Sequence, residues 1–291
     1  MLFSGPVLLA DYEIWFMRVL FAVVLYQSAI LKTVPFVAQP KPVGLARFFD
    51  LTFLSNDALY QWLRRIAYLC LVLYAAGIAL PVVTLYLALL SIATFSLRNS
   101  QGAIVHAKQL MSMILAVQAI LYGFQTFNRF FNPTFAFAHG ASYDQLAVYW
   151  TQQVIVAVYL TAALSKMWRS RFMWVRDAAR VPLQMVKTAE QRYHNELDPQ
   201  HKGRAFEMAH LMMRYPMATR AFMSGGLFLE MLSPLALMNR TTMIAGGILF
   251  IAFHKMNTYV MNLHFTETQK LIAIYFVNVP YLVVTGWSLL R

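Results

Sequence analysis

The chain has 291 residues, of which 59% are hydrophobic and 12% are charged, whereas an ordinary soluble domain has about 25% charged residues. A soluble fold is almost excluded, because a core of this size cannot bury that much apolar surface beneath a polar exterior. The 24 Lys and Arg residues against 12 Asp and Glu residues give a net charge of +12, which calls for an anionic partner such as nucleic acid or phospholipid headgroups.

Apolar runs of about 20 residues, the length that crosses the hydrocarbon of a bilayer, predict an all-α, polytopic membrane bundle of about eight helices. The predicted spans are residues 14–38, 62–79, 81–97, 103–122, 149–166, 221–238, 242–260 and 271–290. Gly77 and Pro81 divide one long apolar run into the second and third spans, and the alternatives of seven or nine spans depend on this division. No linker or repeat interrupts the chain, so residues 1–291 are interpreted as one domain.

The polar connection 167–220 between the fifth and sixth spans is strongly basic. Together with Lys166, it holds 11 of the 24 basic residues and only 5 acidic ones. Apolar and basic side chains near its start fall on two different helical faces: Trp168, Phe172, Val175 and Ala179 on one, and Arg169, Arg176 and Arg180 on the other. This pattern predicts a cytoplasmic amphipathic helix that lies in the membrane interface.

The distribution of Lys and Arg between the two sides of the bundle predicts its orientation. Of the 24 basic residues, 20 fall on the side of the 167–220 loop, and the side of both termini has only Arg18, Arg129, Arg240 and Arg291. We therefore expect an integral membrane protein with both termini outside and the 167–220 loop in the cytoplasm. Anionic lipid accounts for such a one-sided charge, so the lipid bilayer is the expected partner and nucleic acid is not.

Polar residues within the spans are candidates for a site, because each costs free energy unless it is paired or faces a cavity. Gln152, Tyr159 and Lys166 are spaced by seven and share one face of the fifth span. Desolvation of Lys166 would favour the free amine, which can accept a proton. The alternative is that Lys166 extends to the cytoplasmic interface and has no chemical role.

Other polar residues lie at similar depth in the fourth, sixth and seventh spans. His254 and Asn257 are three residues apart and face the same way, either toward a ligand or toward a neighbouring helix. Glu230 needs a cationic partner or a proton. His106 opens the fourth span, where a lone histidine more often has a structural role. We predict no metal site, because the sequence lacks a complete metal-binding motif.

Two strings of residues in the fifth and seventh spans carry a resemblance to a known family. The string A-V-Y-L-T-A-A-L-S-K at 157–166 and F-H-K-M-N at 253–257 resemble the V-Y-x-x-A-G-x-x-K and F-H-x-M-N strings of the vitamin K-dependent gamma-glutamyl carboxylase family, or HTTM domain. Residues 17–21, His106, Glu230 and Arg240 match further features of that membrane domain in the same order.

The resemblance implies a quinone or quinol as the cofactor and Lys166 as the base that deprotonates it. His106 and Tyr159 would orient the quinol, and the other candidate cofactor-binding residues are His254, Asn257, Glu230 and Gln152. Ala163 departs from the family's glycine, and the charge count places Lys166 toward the cytoplasm, whereas the animal enzyme works in the secretory lumen. Carboxylation of glutamate in exported proteins is therefore not expected.

Two functions remain as hypotheses at this point. The first is a quinone-dependent oxidoreductase or peptide-modifying membrane enzyme with Lys166 as its base. The second is a non-catalytic membrane assembly or maturation factor that docks a protein or peptide through the basic loop 167–220. Transport of a small solute is less well supported, because no inverted repeat is visible.

Overall fold

The structure is a computed structural model that describes residues 7–28, 41–101, 106–135, 137, 140–196, 200–261 and 265–289. Within these ranges the secondary structure is helical and no strand occurs, which confirms the all-α class. The helices are α1 Asp11–Gln27, α2 Asp57–Ala76, α3 Leu80–Ser100, α4 His106–Phe131, α5 Tyr143–Arg169, α6 Trp174–Asp177, α7 Val181–Glu196, α8 Gln200–Arg214, α9 Pro216–Met231, α10 Arg240–Met261, α11 Thr266–Ile272 and α12 Val279–Leu289.

The long apolar run over residues 62–97 is divided where the sequence predicts. Helix α2 ends at Ala76, and Gly77 adopts a left-handed conformation with φ of 75°, which glycine reaches without a steric penalty. Pro81 lies in the first turn of α3, where its missing N–H leaves no helical hydrogen bond unmade. Helices α2 and α3 are thus two antiparallel neighbours joined by a short turn.

Helices α4 and α5 extend beyond the apolar runs that predicted them. Helix α4 continues to Phe131, and α5 begins at Tyr143, so the connection between them is shorter than expected. Ser142 caps α5, because its side chain accepts a hydrogen bond from the backbone N–H of Gln145 at 3.2 Å. Apolar runs mark the part of a helix that lies in hydrocarbon, whereas caps such as Ser142 determine where the helix begins.

Three of these helices are long and apolar enough to cross a membrane: α3, α4 from Ala107 onward, and α5. The segments Thr266–Val277 and Val279–Ser288 form a fourth candidate if they are one span bent by 44°. Asn278 lies at that bend with a left-handed φ of 52°. These candidate spans support membrane association. Among the described residues, however, only three or four spans are long and apolar enough to cross a membrane, fewer than the eight predicted. Residues 29–38 of the first predicted span, 103–105 of the fourth and 290 of the last lie outside the described residues.

The single amphipathic helix predicted around 168–180 is divided in the structure. Helix α5 ends at Arg169, and the backbone N–H of Phe172 bonds back to the carbonyl of Met167 at 2.8 Å. This pattern, with Arg171 at a φ of 50°, is a Schellman closure that turns the chain away from the α5 axis. The short helix α6 follows, and α7 begins after one 3-10 turn.

Exposed tryptophans lie near both ends of the bundle. Trp15 is 47% exposed near the start of α1, which lies beside the start of α5 because Gln145 bonds to the carbonyl of Leu9. Trp168 at the opposite end of α5 is 80% exposed. Aromatic side chains concentrate at the two interfaces of a bilayer, so this placement fits a membrane bundle.

Candidate functional site

A cavity of about 900 Å³ lies between α5, α9 and α10, and residues of α4, α6, α7 and α11 complete its wall. Most of its lining is apolar. Five of the seven site residues predicted from the sequence line it, and these are Tyr159, Lys166, Glu230, His254 and Asn257. Since these residues come from three helices separated along the chain, the fold brings together a polar group within an apolar bundle.

Lys166 and Glu230 form an ion pair at this cavity. The Lys166 Nζ atom lies 2.6 and 2.5 Å from the two carboxylate oxygens of Glu230. The Glu230 side chain is 7% exposed and that of Lys166 is 32% exposed. A helical side chain leans toward the N-terminus of its own helix, so Lys166 reaches back into the bundle although it lies near the end of α5. The cationic partner that Glu230 requires is therefore Lys166.

Trp174 of α6 covers the same lysine. Its ring centre lies 5.7 Å from the Lys166 Nζ atom, a distance at which a cation is attracted by an indole ring. The Trp174 Nε1 atom is buried and has no hydrogen-bond partner among the described residues. The sequence gives no signal for this placement, because it depends on the turn after Arg169 that folds α6 back over the cavity.

Tyr159 and His254 are joined by a hydrogen bond across the α5 and α10 helices, between the phenol oxygen and the imidazole Nε2 atom. The phenol donates when the imidazole proton is on Nδ1. The Tyr159 ring stacks on Phe250 with centroids 4.4 Å apart, and the His254 ring lies 4.7 Å from Phe265. These ring contacts fix the orientation of both polar groups.

Besides Trp174 Nε1, two more buried polar atoms of cavity-lining residues lack a partner among the described residues. They are the Nδ1 atom of His254 and the Oδ1 atom of Asn257, whose residues are 4% and 5% exposed. A buried unpaired polar group costs about 1–3 kcal/mol, so such groups are rare unless a ligand or water completes them. Together with Trp174 Nε1, they are unpaired polar atoms, among the described residues, on side chains that line the cavity.

The apolar part of the cavity is rich in methionine, with Met113, Met185, Met223 and Met261 among its lining residues. Methionine has a flexible, polarizable side chain that adapts to irregular shapes. The cavity thus combines a fixed polar group with an adaptable apolar wall.

Gln152 and His106 are the two predicted site residues that are not found among the described residues lining the cavity. Gln152 does not line the cavity, because its Nε2 atom donates to the backbone carbonyl of Tyr275 at 2.6 Å and so joins α5 to the segment after α11. Helix α4 begins at His106, but the side chain of His106 lies outside the described part of the structure. Gln109, three residues later, lines the cavity.

Arg240, which the family resemblance singles out, is part of a second polar cluster away from the cavity. Its Nη1 atom donates to Glu13 Oε1 at 2.7 Å, and Asn278 Nδ2 donates to the same oxygen at 2.6 Å. The Arg240 guanidinium also lies 4.1 Å from the ring centre of Tyr281. Because these groups satisfy one another, the cluster fastens α1 to α10 and to the bend at Asn278.

No protein-family model matches the chain, and comparison with the curated proteins and with the solved structures found no similar protein. The resemblance to the carboxylase family therefore rests on the strings of sequence given above. The function has to be inferred from the chemistry of the cavity.

Proposed function

We propose that this chain is a multi-pass membrane protein whose cavity binds a quinol and whose Lys166–Glu230 pair removes a proton from it. One observation carries the proposal: Lys166 and Tyr159, to which the resemblance assigns quinol chemistry, line one cavity with the candidate cofactor-binding residues Glu230, His254 and Asn257.

The residues of the cavity fit a quinol in both shape and polarity. A quinol has oxygens on opposite edges of a flat ring, and many quinols carry an apolar tail. His254 Nδ1 and Asn257 Oδ1 are buried without a partner among the described residues, and Trp174 Nε1 is a further unpaired donor. The methionine-rich wall provides the apolar environment that a tail requires.

A bound quinol supplies a weakly acidic hydroxyl and two reducing electrons. Lys166 Nζ accepts a proton only as the free amine, and the carboxylate oxygens of Glu230 at 2.6 and 2.5 Å are placed to take the ammonium proton first. Tyr159 holds the His254 ring through its hydrogen bond, and most of the cavity wall around them is apolar. We assign Lys166 as the base, Glu230 as its proton partner, and His254 and Asn257 as ligand-binding residues.

The membrane arrangement that we propose has eight spans, with both termini outside and residues 167–220 in the cytoplasm. The candidate spans α3, α4 and α5 cross the bilayer, helices α1, α2 and α9 pack beside them, and α10 is joined to α5 by the Tyr159–His254 hydrogen bond. The supporting observations are the 20 of 24 basic residues on one side and the exposed tryptophans at both ends of the bundle.

Replacement of Asn257 by leucine tests the proposed ligand with two readouts of opposite sign. Asn257→Leu keeps the branched shape and the number of heavy atoms of the side chain and removes the unpaired Oδ1 atom. We expect the variant to unfold at the same or a higher temperature, because a buried unpaired amide is lost. We also expect it to bind added decylubiquinone, in its reduced form, at least ten-fold more weakly, which corresponds to about 1.4 kcal/mol.

The matched control is Lys255→Leu on the same helix, since Lys255 is exposed and does not line the cavity. This variant should bind the reduced decylubiquinone like the wild type. A wild-type protein that neither carries quinone after mild purification nor binds the probe would overturn the proposal. Equal binding of reduced decylubiquinone by wild type and Asn257→Leu would mean that Asn257 is not a ligand-binding residue.

A further inference from the structure

A short segment at the end of α5 exposes aromatic and basic side chains together. We call residues 168–180 the cap segment. Within it, Trp168 is 80% exposed and Phe172 is 69% exposed, although aromatic rings of this size are ordinarily buried in a folded domain. The side chains of Arg176 and Arg180 are 64% and 78% exposed.

The cap segment has a surplus of positive charge. It contains four arginines and one acidic residue, Asp177. Arg176 and Arg180 approach this carboxylate at 3.5 and 4.0 Å, long distances between exposed side chains that bind each other weakly in water. The segment can therefore attract further anionic groups.

The position of the cap segment relative to α5 places it at the level of lipid headgroups. Helix α5 has 27 residues. At about 1.5 Å per residue it is about 40 Å long, close to the thickness of a bilayer with its headgroups. Trp168 lies at the last turn of this helix, and the Schellman turn through Arg171 then carries the chain away from the helix axis. A chain with this geometry runs across the membrane surface rather than away from it.

We propose that the cap segment is a binding surface for the headgroups of anionic phospholipids, with Trp168 and Phe172 inserted among the acyl chains. The arginines supply the charge, and the two rings supply apolar contact at the same depth, a combination typical of interfacial segments. An acidic protein would satisfy the arginines but would give the two exposed rings no hydrocarbon to enter. This inference is independent of the ligand in the cavity.

The test uses the full-length protein in nanodiscs that contain equal amounts of phosphatidylcholine and phosphatidylglycerol. Native mass spectrometry after gentle release of the protein counts the lipids of each kind that remain bound. We expect wild type to retain phosphatidylglycerol over phosphatidylcholine, and Arg176→Gln with Arg180→Gln to lower this preference by about five-fold for each arginine removed, since one basic residue near an anionic surface contributes roughly 1 kcal/mol.

Arg129→Gln is the matched control, because Arg129 is exposed at the opposite end of the bundle, in the last turn of α4. It should lower the preference by no more than the share of one arginine, and so by less than the double variant does. If a variant fails to fold, the wild type alone still gives a test, because its preference for phosphatidylglycerol should fall as salt is raised.

Equal retention of both lipids by wild type would overturn the proposal, and so would an equal loss of preference in Arg129→Gln and in the double variant. The same holds if wild type shows no lipid preference and instead purifies with a stoichiometric acidic protein that the double variant loses.

Discussion

The Nζ atom of Lys166 lies 2.6 and 2.5 Å from the two carboxylate oxygens of Glu230, and this pair joins α5 to α9 at the wall of the cavity. The two side chains are unequally protected, because Glu230 is 7% exposed and Lys166 is 32% exposed. The pair thus has a structural role and a proposed chemical role.

Removal of one partner of the pair should cost more than removal of both. Lys166→Met leaves a buried carboxylate and should lower the free energy of unfolding by about 3 kcal/mol, whereas Glu230→Leu leaves a lysine that water still reaches and should cost less. The double variant should recover most of the stability. Unfolding of the purified protein in detergent measures all three, with the exposed Lys255→Met as control. Losses that simply add in the double variant would contradict a direct pair.

Tyr159→Phe should separate the hydrogen bond from the ring stack. The variant keeps the aromatic contact with Phe250 but leaves His254 Nε2 without the phenol. We expect a loss of about 1–3 kcal/mol in unfolding free energy and weaker binding of reduced decylubiquinone, because the imidazole is no longer held. Tyr149→Phe, at a half-buried position on the same helix, should change neither quantity. Unchanged binding in Tyr159→Phe would mean that the His254 ring does not need this partner.

The cluster around Glu13 should affect stability without affecting the cavity. Arg240→Met leaves the Glu13 side chain, which is 2% exposed, without its cation, and should cost about 3–5 kcal/mol. Arg240→Lys should recover only part of this, because lysine cannot donate two parallel hydrogen bonds to the carboxylate. Thermal unfolding measures the stability, and binding of reduced decylubiquinone at a temperature where the variant is folded should match wild type. A selective loss of binding would place Arg240 in contact with the site.

Two glycines provide a matched test of helix packing. In Gly247→Ala the new Cβ atom would lie 2.8 Å from the Cβ atom of Phe276 and 3.1 Å from the backbone nitrogen of Val277, so α10 must shift. We expect a loss of about 1–3 kcal/mol. Gly225→Ala meets no described atom within 4 Å and should stabilise α9 by up to about 1 kcal/mol through its helix propensity. Equal tolerance of both changes in thermal unfolding would argue against this close packing of α10.

The proposed orientation can be tested with single cysteines in a Cys70→Ala background, since Cys70 is the one cysteine of the chain. Thr134→Cys lies between α4 and α5, and Arg180→Cys lies in the cap segment at the opposite end of α5. A thiol reagent that does not cross membranes should label Thr134→Cys in intact cells, and Arg180→Cys only after the membrane is opened. The reverse labelling pattern would mean that the orientation of the bundle in the membrane is opposite to the proposed one.

Much of the architecture could be predicted from composition and from the spacing of apolar residues. The high apolar fraction required a membrane environment, and apolar runs of about 20 residues predicted helices and the division at Gly77 and Pro81, whereas α7 and α8 in the polar connection were not predicted. The ends of α4 and α5 were predicted poorly, because hydropathy follows the hydrocarbon layer, whereas Ser142 and the last turns of α4 lie beyond it. The turn at Arg171 and Phe172 was missed, since neither residue is a typical turn former.

The scarcity of charge within apolar runs was enough to select Lys166, Glu230 and His254 from the sequence alone, because an ionisable group at that depth must be paired or used. Which of them meet was decided by the tertiary structure: Lys166 and Glu230 are 64 residues apart, and a periodic pattern cannot tell which helices are neighbours. Gln152 and Tyr159 likewise share a face of α5 in the sequence pattern but belong to different contacts in the structure. Gln152 bonds to Tyr275, whereas Tyr159 bonds to His254. Trp174 enters the cavity only through the turn that ends α5, so its part in the site depends on helix packing and chain reversal, which local sequence does not encode.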